Sequence, residues 1–110
     1  MTTLEILVAA RAKISTPDKW CKGQPATDIT GWPCVADSPT AYRWCVLGAL
    51  ILVCKRNMEA VRQAALCLGG GVVQFNDALT TMHADILALF DRAIAAQPQP
   101  ARGEVPMEGA

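Results

Sequence analysis

Trp44-Cys45-Val46-Leu47-Gly48-Ala49-Leu50-Ile51-Leu52-Val53-Cys54 offers no polar face at any periodicity. A helix that is apolar all round belongs inside a domain, with the other elements arranged around it. At eleven residues it falls well short of the roughly 20 needed to span a bilayer. The run therefore reads as a central core helix. Ser38-Pro39 supplies an N-cap with proline at the first helical position, so the helix is expected to start there and to continue to about Arg56. Gly48-Ala49 in mid-run sacrifices helix propensity, which predicts a close backbone approach, most simply by the C-terminal helix.

Upstream, Thr2 and Glu5 have capping-box spacing ahead of Leu4, Leu7, Val8 and Ile14, predicting a first helix over about Thr3 to Ile14. Ser15-Thr16-Pro17-Asp18 stops it and starts a short helical turn carrying Trp20. Gly23, Pro25, Gly31 and Pro33 then forbid helix. Asp28-Ile29-Thr30-Gly31 has the residues of a β-turn, so a small hairpin is expected, with arms at about Ala26-Thr27 and Trp32 to Val35. Trp20, Trp32, Tyr42 and Trp44 lie within one short stretch, and an aromatic cluster would hold that hairpin to the central helix.

Downstream, Asn57 caps a third helix with Val61, Ala64, Ala65 and Leu68 on one stripe. Gly69-Gly70-Gly71 ends it, and Val72 to Phe75 reads as extended chain pairing with the hairpin. Asn76-Asp77 and Thr80-Thr81 are both candidate caps for a last helix with Met82, Ile86, Leu87, Leu89, Phe90, Ala93 and Ile94 on a wide apolar stripe. The fold class is thus mostly α: a compact four-helix domain over residues 1–96 around a buried central helix, with a small β-hairpin, and a disordered Pro-rich tail over 97–110.

Ten Lys plus Arg cancel ten Asp plus Glu, and the basic residues are scattered along the chain. The stripe that a phosphate backbone requires is missing, so nucleic acid is not expected as a partner, nor is a membrane. Hydrophobic residues make up 52% of the chain, more than a small core can hide, which predicts a homo-oligomer or a protein partner. Without a basic start and a long apolar segment at the N-terminus, the chain reads as cytoplasmic. Cys21, Cys34, Cys45, Cys54 and Cys67 are odd in number, form no Cys-x-x-Cys clip, and share the chain with one histidine. Reduced thiols, no metal site and no cofactor are expected.

Arg43-Trp44-Cys45-x-x-Gly48-Ala49-Leu50, then Phe75-Asn76-Asp77, then Leu89-Phe90-Asp91-Arg92-Ala93-Ile94 follow an upstream Trp20 in that order. In this combination the chain resembles a family of small bacterial and phage proteins of unknown function, over roughly residues 4–96. Those proteins carry an RWCxxGAL box, an aromatic-Asn-Asp box and a closing LFDRAI-like helix. The resemblance implies an architecture and no activity. The chain departs from it in its extra cysteines and its Pro-rich end.

Cys45 and His83 are the candidate catalytic residues. A nucleophilic thiol needs a neighbouring base, and only His83, with Asn76 or Asp77 behind it, could complete a cysteine hydrolase. Against this, Cys45 lies two turns inside the expected helix as a small apolar residue, and His83 falls at the edge of the last helix's core stripe. Asn76, Asp77, Trp20, Trp32, Arg43 and Trp44 are the candidate binding residues, with Asp77 facing a pocket formed by the three tryptophans and Arg43 stacked on an aromatic ring or paired with Asp37 or Asp77. Gly69-Gly70-Gly71 follows a helix end, where the dipole is negative, and does not suit a phosphate. The expected function is a non-enzymatic binding or inhibitor protein, encoded by a phage or mobile element and directed at a host defence or regulatory component. A hydrolase using Cys45 and His83, and a small-ligand or nucleotide-signal sponge with a pocket between subunits, are the alternatives.

Overall fold

The Thr2 hydroxyl accepts the Glu5 N–H at 3.1 Å while Glu5 Oε1 accepts the Thr2 N–H at 2.8 Å, a closed capping box that starts helix α1 (Thr3–Lys13). The computed structural model describes residues 1–98. A 3₁₀ turn (Pro17–Lys19) leads to strands β1 (Ala26–Thr27), β2 (Pro33–Cys34) and β3 (Arg43–Trp44), followed by helices α2 (Val46–Val53), α3 (Met58–Cys67), α4 (Val72–Asp77) and α5 (His83–Ala96). The protein is mostly α, with five helices among the described residues and a small antiparallel sheet in the order β2-β1-β3. The expected Pro-rich tail lies, from residue 99 onward, outside the described residues. Among the described residues no helix is long and apolar enough to cross a membrane.

α2 packs on α1, α3 and α4, and α1 also packs on α5. Leu7, Ile14, Val46, Leu50, Ile86 and Phe90 are fully buried in one core. Each such side chain contributes about 1.5–3 kcal/mol by leaving water. The apolar run is central, as its composition requires, but its start differs from expectation. Ser38 does not cap a helix: its hydroxyl accepts the Thr40 N–H at 3.2 Å and its carbonyl accepts the Ala41 N–H at 3.0 Å, making a tight local turn. Tyr42 then donates its N–H to the Thr27 carbonyl, and Arg43–Trp44 pair with β1 as a third strand. Cross-strand pairing wins here because β1 needs a partner on its second edge and aromatic residues suit a strand. Helix α2 begins at Val46 with Cys45 as its N-cap, so Cys45 is at the helix start and not two turns inside.

The helix also ends before Arg56. Lys55 and Arg56 both have positive φ, +51° and +63°, which stops α2, and the Arg56 guanidinium is held by both oxygens of Asp37 at 2.9 Å. Asp37 is therefore taken by Arg56 and not by Arg43. The notch at Gly48 receives the Pro25 carbonyl, not the C-terminal helix: a Cβ on Gly48 would lie 1.8 Å from that oxygen. Asn57 caps α3 as expected, its side-chain oxygen accepting the Ala60 N–H at 3.2 Å. After the three glycines, Gly71 in the left-handed region opens α4, so Val72 to Phe75 is helical and does not pair with the hairpin. Helix α5 is capped by neither candidate pair. It starts after Met82, whose N–H is accepted by Asp85 at 2.8 Å.

In the hairpin, Asp28 and Trp32 close a three-residue loop. The Asp28 N–H donates to the Trp32 carbonyl at 2.9 Å, the Gly31 N–H returns to the Asp28 carbonyl at 3.0 Å, and Gly31 has φ +93°. Asp28 Oδ1 accepts the Thr30 N–H, the Thr30 hydroxyl and the Trp32 N–H. These bonds, the Thr30 hydroxyl first, hold the Asp28 carboxyl below the usual carboxylate range. The stabilisation is present above that range and is lost as pH falls through the depressed value.

Candidate functional site

Of the residues singled out from the sequence, Trp20, Cys45, Asn76 and Asp77 converge where α2 begins. Asn76, with no solvent exposure, is the hub. Its Oδ1 accepts the Trp20 indole N–H at 2.7 Å and the Val46 N–H at 3.0 Å, so a side chain from α4 caps the first turn of α2. Its Nδ2 donates to the Cys21 carbonyl at 3.1 Å and to Asp77 Oδ1 at 2.8 Å. All four hydrogen-bonding positions of the amide are filled, which fixes its orientation. Asp77 Oδ1 also accepts the Gly23 N–H at 2.9 Å, tying the loop after the 3₁₀ turn to the end of α4. α4 carries these two residues because its first turn buries Val72 against the core, which turns Asn76 inward one turn later.

Cys45 is buried, and its Sγ accepts the Gly48 N–H at 3.3 Å. Burial raises the Cys45 thiol above its ordinary pKa, against the lowering effect of the Gly48 and Leu47 N–H groups at the helix start. Burial also pushes Cys21 up to about 12, aided by its proximity to Cys45. Both thiols are therefore protonated near neutral pH, the opposite of an activated nucleophile. His83 is at the first residue of α5. Its Nε2 lies 2.7 Å from the Ile14 carbonyl, and since a carbonyl only accepts, Nε2 carries the proton. The His83 ring stands 5.9 Å from Trp20 at 46°. Among the described residues no hydrogen bond joins His83 to Cys45. In native alkylation, exposed Cys67 is expected to react readily and Cys45 to stay largely unlabelled near neutral pH. Rapid labelling at Cys45, read by peptide mass mapping, would restore the nucleophile.

The tryptophans separate. Trp20 and Trp44 pair as a parallel bridge, and the Trp44 indole donates to the Ala36 carbonyl at 2.8 Å. Trp32 is 74% exposed and takes no part in that cluster. Arg43 donates to the Asp28 carbonyl at 3.1 Å and stacks 5.1 Å from the Tyr42 ring, so the expected aromatic stacking is present and neither Asp37 nor Asp77 is its partner. A cavity of about 200 Å³ opens between Pro25, Cys45, Leu47, Val73 and Asp77, and none of the three tryptophans lines it. Thr27 Oγ1 is buried beside the Cys21 thiol without a hydrogen bond of ordinary geometry. No group of three or more His, Cys, Asp and Glu among the described residues is placed to hold a metal ion.

Two features had no clear signal in the sequence. The Gly48–Pro25 contact joins residues far apart in the chain, and glycine in an apolar helix shows only that something approaches. The lysines seated on aromatic rings, Lys13 on Trp44 and Lys19 on Tyr42, likewise depend on the sheet's third strand.

No curated protein and no solved structure matches the chain. The family of unknown function DUF6197 matches residues 1–96, and the chain belongs to that family.

Proposed function

We propose that this protein is a non-enzymatic binding module whose contact element is the apex of the β1–β2 hairpin. One observation carries the reading: Trp32 is 74% exposed on a loop whose backbone is locked by Asp28. A loop needed only to connect two short strands has no use for an exposed tryptophan. Ile29, at 67% exposure in the same loop, extends the apolar apex. Large aromatic side chains dominate binding energies, and a loop already held in place loses little entropy on docking.

The residues of the RWCxxGAL, aromatic-Asn-Asp and LFDRAI-like boxes support this indirectly. Arg43, Trp44, Cys45, Asn76 and Asp77 spend their polar groups on neighbouring backbone and side chains, and Asp91 pairs with Arg11 at 2.7 Å, which suits a signature that specifies a fold. A small cytoplasmic protein of bacterial or phage origin, acting on a host defence or regulatory component, fits a module of this size without assembled catalytic groups. The exposed apolar residues also support a homo-oligomer, and a monodisperse monomer at high concentration by sedimentation would remove that part.

The test compares proteins retained by the native chain with those retained by Trp32→Ser. The substitution is expected to change stability by less than about 0.5 kcal/mol, as for a surface site, and to abolish retention of the partner. Full retention by a folded Trp32→Ser chain would sink the reading. The cavity beside Cys45 and Asp77 favours a second reading, a small-ligand binder, which a ligand-dependent rise in melting temperature would reveal.

A further inference from the structure

We propose that Cys21 and Cys45 are a redox pair, joined as a disulfide when the chain meets a low-molecular-weight disulfide and released again by excess thiol. Their placement comes from the backbone. Trp20 and Trp44 form a parallel bridge, with the Cys21 N–H donating to the Trp44 carbonyl at 3.2 Å, so Cys21 and Cys45 stand at the next matched position of the two chains. Neighbouring strands lie about 4.8 Å apart and matched residues project to the same side. A disulfide bridges Cα atoms about 4.4–6.8 Å apart, so this position suits one.

The surroundings of the two sulfurs agree. The Cys21 thiol donates to the Gln24 carbonyl at 3.6 Å, and Gln24 lines the same cavity as Cys45 and Asp77. After burial, the Cys45 sulfur is the strongest influence raising the Cys21 thiol, and Asp77 acts on both thiols. Asn76 clamps the same two chains, donating to the Cys21 carbonyl at 3.1 Å and accepting the Val46 N–H at 3.0 Å.

The exchange balances in two steps. Cys21, half-buried where Cys45 is buried, gives up its proton and attacks one sulfur of the small disulfide, whose S–S bond breaks; the other half leaves as a thiol with that proton. Cys45 then gives up its own proton and attacks the Cys21 sulfur, and the second small thiol leaves. Two electrons and two protons pass from the pair to the small disulfide. Thr27 Oγ1, buried beside Cys21 and without another partner of ordinary geometry, donates to the Cys21 sulfur as its proton leaves. Burial keeps both thiols protonated near neutral pH, which slows the exchange, while the second step is favoured because Cys45 acts from within the same chain. The closed ring runs from residue 21 to residue 45 and contains β1, β2, β3 and the Trp32 loop. Cys45 keeps its place as the cap of α2, since a sulfur in a disulfide still accepts the Gly48 N–H.

The experiment incubates the full chain with mixtures of reduced and oxidised glutathione, traps free thiols with N-ethylmaleimide and maps the products by mass spectrometry. A linked Cys21–Cys45 peptide is expected, half-formed at about a tenth or less of the oxidised glutathione that half-converts exposed Cys67 to its adduct. Closing a ring of this size is expected to raise the melting temperature by about 10 °C, and excess dithiothreitol to reverse the rise. Cys21→Ser, and Cys45→Ser with its hydroxyl left to cap α2, should each abolish the linked peptide and the shift. Glutathione adducts on Cys21 or Cys45 without the linked peptide, linkage of either to another cysteine, or both thiols intact while Cys67 converts overturns the proposal. A linked chain whose melting temperature is unchanged or lowered overturns it as well, because the sulfurs then meet only by distorting the fold.

Discussion

Replacing Asn76 with alanine is expected to cost about 3–5 kcal/mol of folding stability, from roughly 1–3 kcal/mol for each buried group left without a partner. The orphaned groups are the Trp20 indole N–H, the Val46 N–H at the start of α2 and the Cys21 carbonyl. A domain of this size has only about 5–15 kcal/mol in total, so the urea midpoint should fall steeply. Asn76→Asp is a sharper probe. It keeps acceptors for Trp20 and Val46 but sets a carboxylate against the Cys21 carbonyl and Asp77, both of which now face the Nδ2 donor. That new carboxyl has a raised pKa, so its destabilisation is full above the raised value and relieved as pH falls through it. A loss below about 1 kcal/mol in Asn76→Ala would show that Asn76 is not the hub of this region.

For Gly48→Ala, local propensity and tertiary packing predict opposite signs, and their magnitudes decide. Within a helix alanine gains up to about 1 kcal/mol over glycine, and Gly48 is the third residue of α2. Its Cβ would lie 1.8 Å from the Pro25 carbonyl oxygen and 2.7 Å from the carbonyl carbon, both backbone atoms that cannot rotate away. The strand start must move off α2, breaking the bond from the Cys45 N–H to the Pro25 carbonyl at 3.2 Å. Overpacking of this kind costs about 3 kcal/mol or more, so a net loss of about 2 kcal/mol or more is expected by thermal melting followed by tryptophan fluorescence. A raised melting temperature would mean that the notch is slack.

Both residues belong to boxes that invite a catalytic reading, and both act on architecture. Cys45 caps α2, Gly48 admits the Pro25 carbonyl, Asn76 ties α4 to α2 and to the 3₁₀ turn, and Asp77 holds Gly23. Trp32, by contrast, stays 74% exposed on the loop locked by Asp28, and the proposed binding role rests on it.

Much of this was legible in order along the chain. The Thr2–Glu5 box, the Asn57 cap, the hairpin arms and the helix carrying Ile86, Phe90 and Ala93 are local or periodic, and short-range chemistry specifies them. The errors share one cause. Ser38-Pro39 carries good helix-start chemistry, yet the backbone from Tyr42 to Trp44 pairs with β1, and Val72 to Phe75 looks like a strand yet packs as a helical turn on α2. Local preferences of a few tenths to about 1 kcal/mol yield to several backbone hydrogen bonds and a buried side chain.

The sequence alone determined that the Trp44–Cys54 run turns toward the core, because water offers an all-apolar run no stable face, yet only Cys45, Val46, Gly48, Ala49 and Leu50 are buried and Leu47 and Ile51 to Cys54 are half-buried. Only the tertiary structure decided where within that run the helix begins. The first turn forms where Asn76 can accept the Val46 N–H and Pro25 can fill the space left by Gly48, and those partners are 30 residues downstream and 23 upstream of the groups they meet.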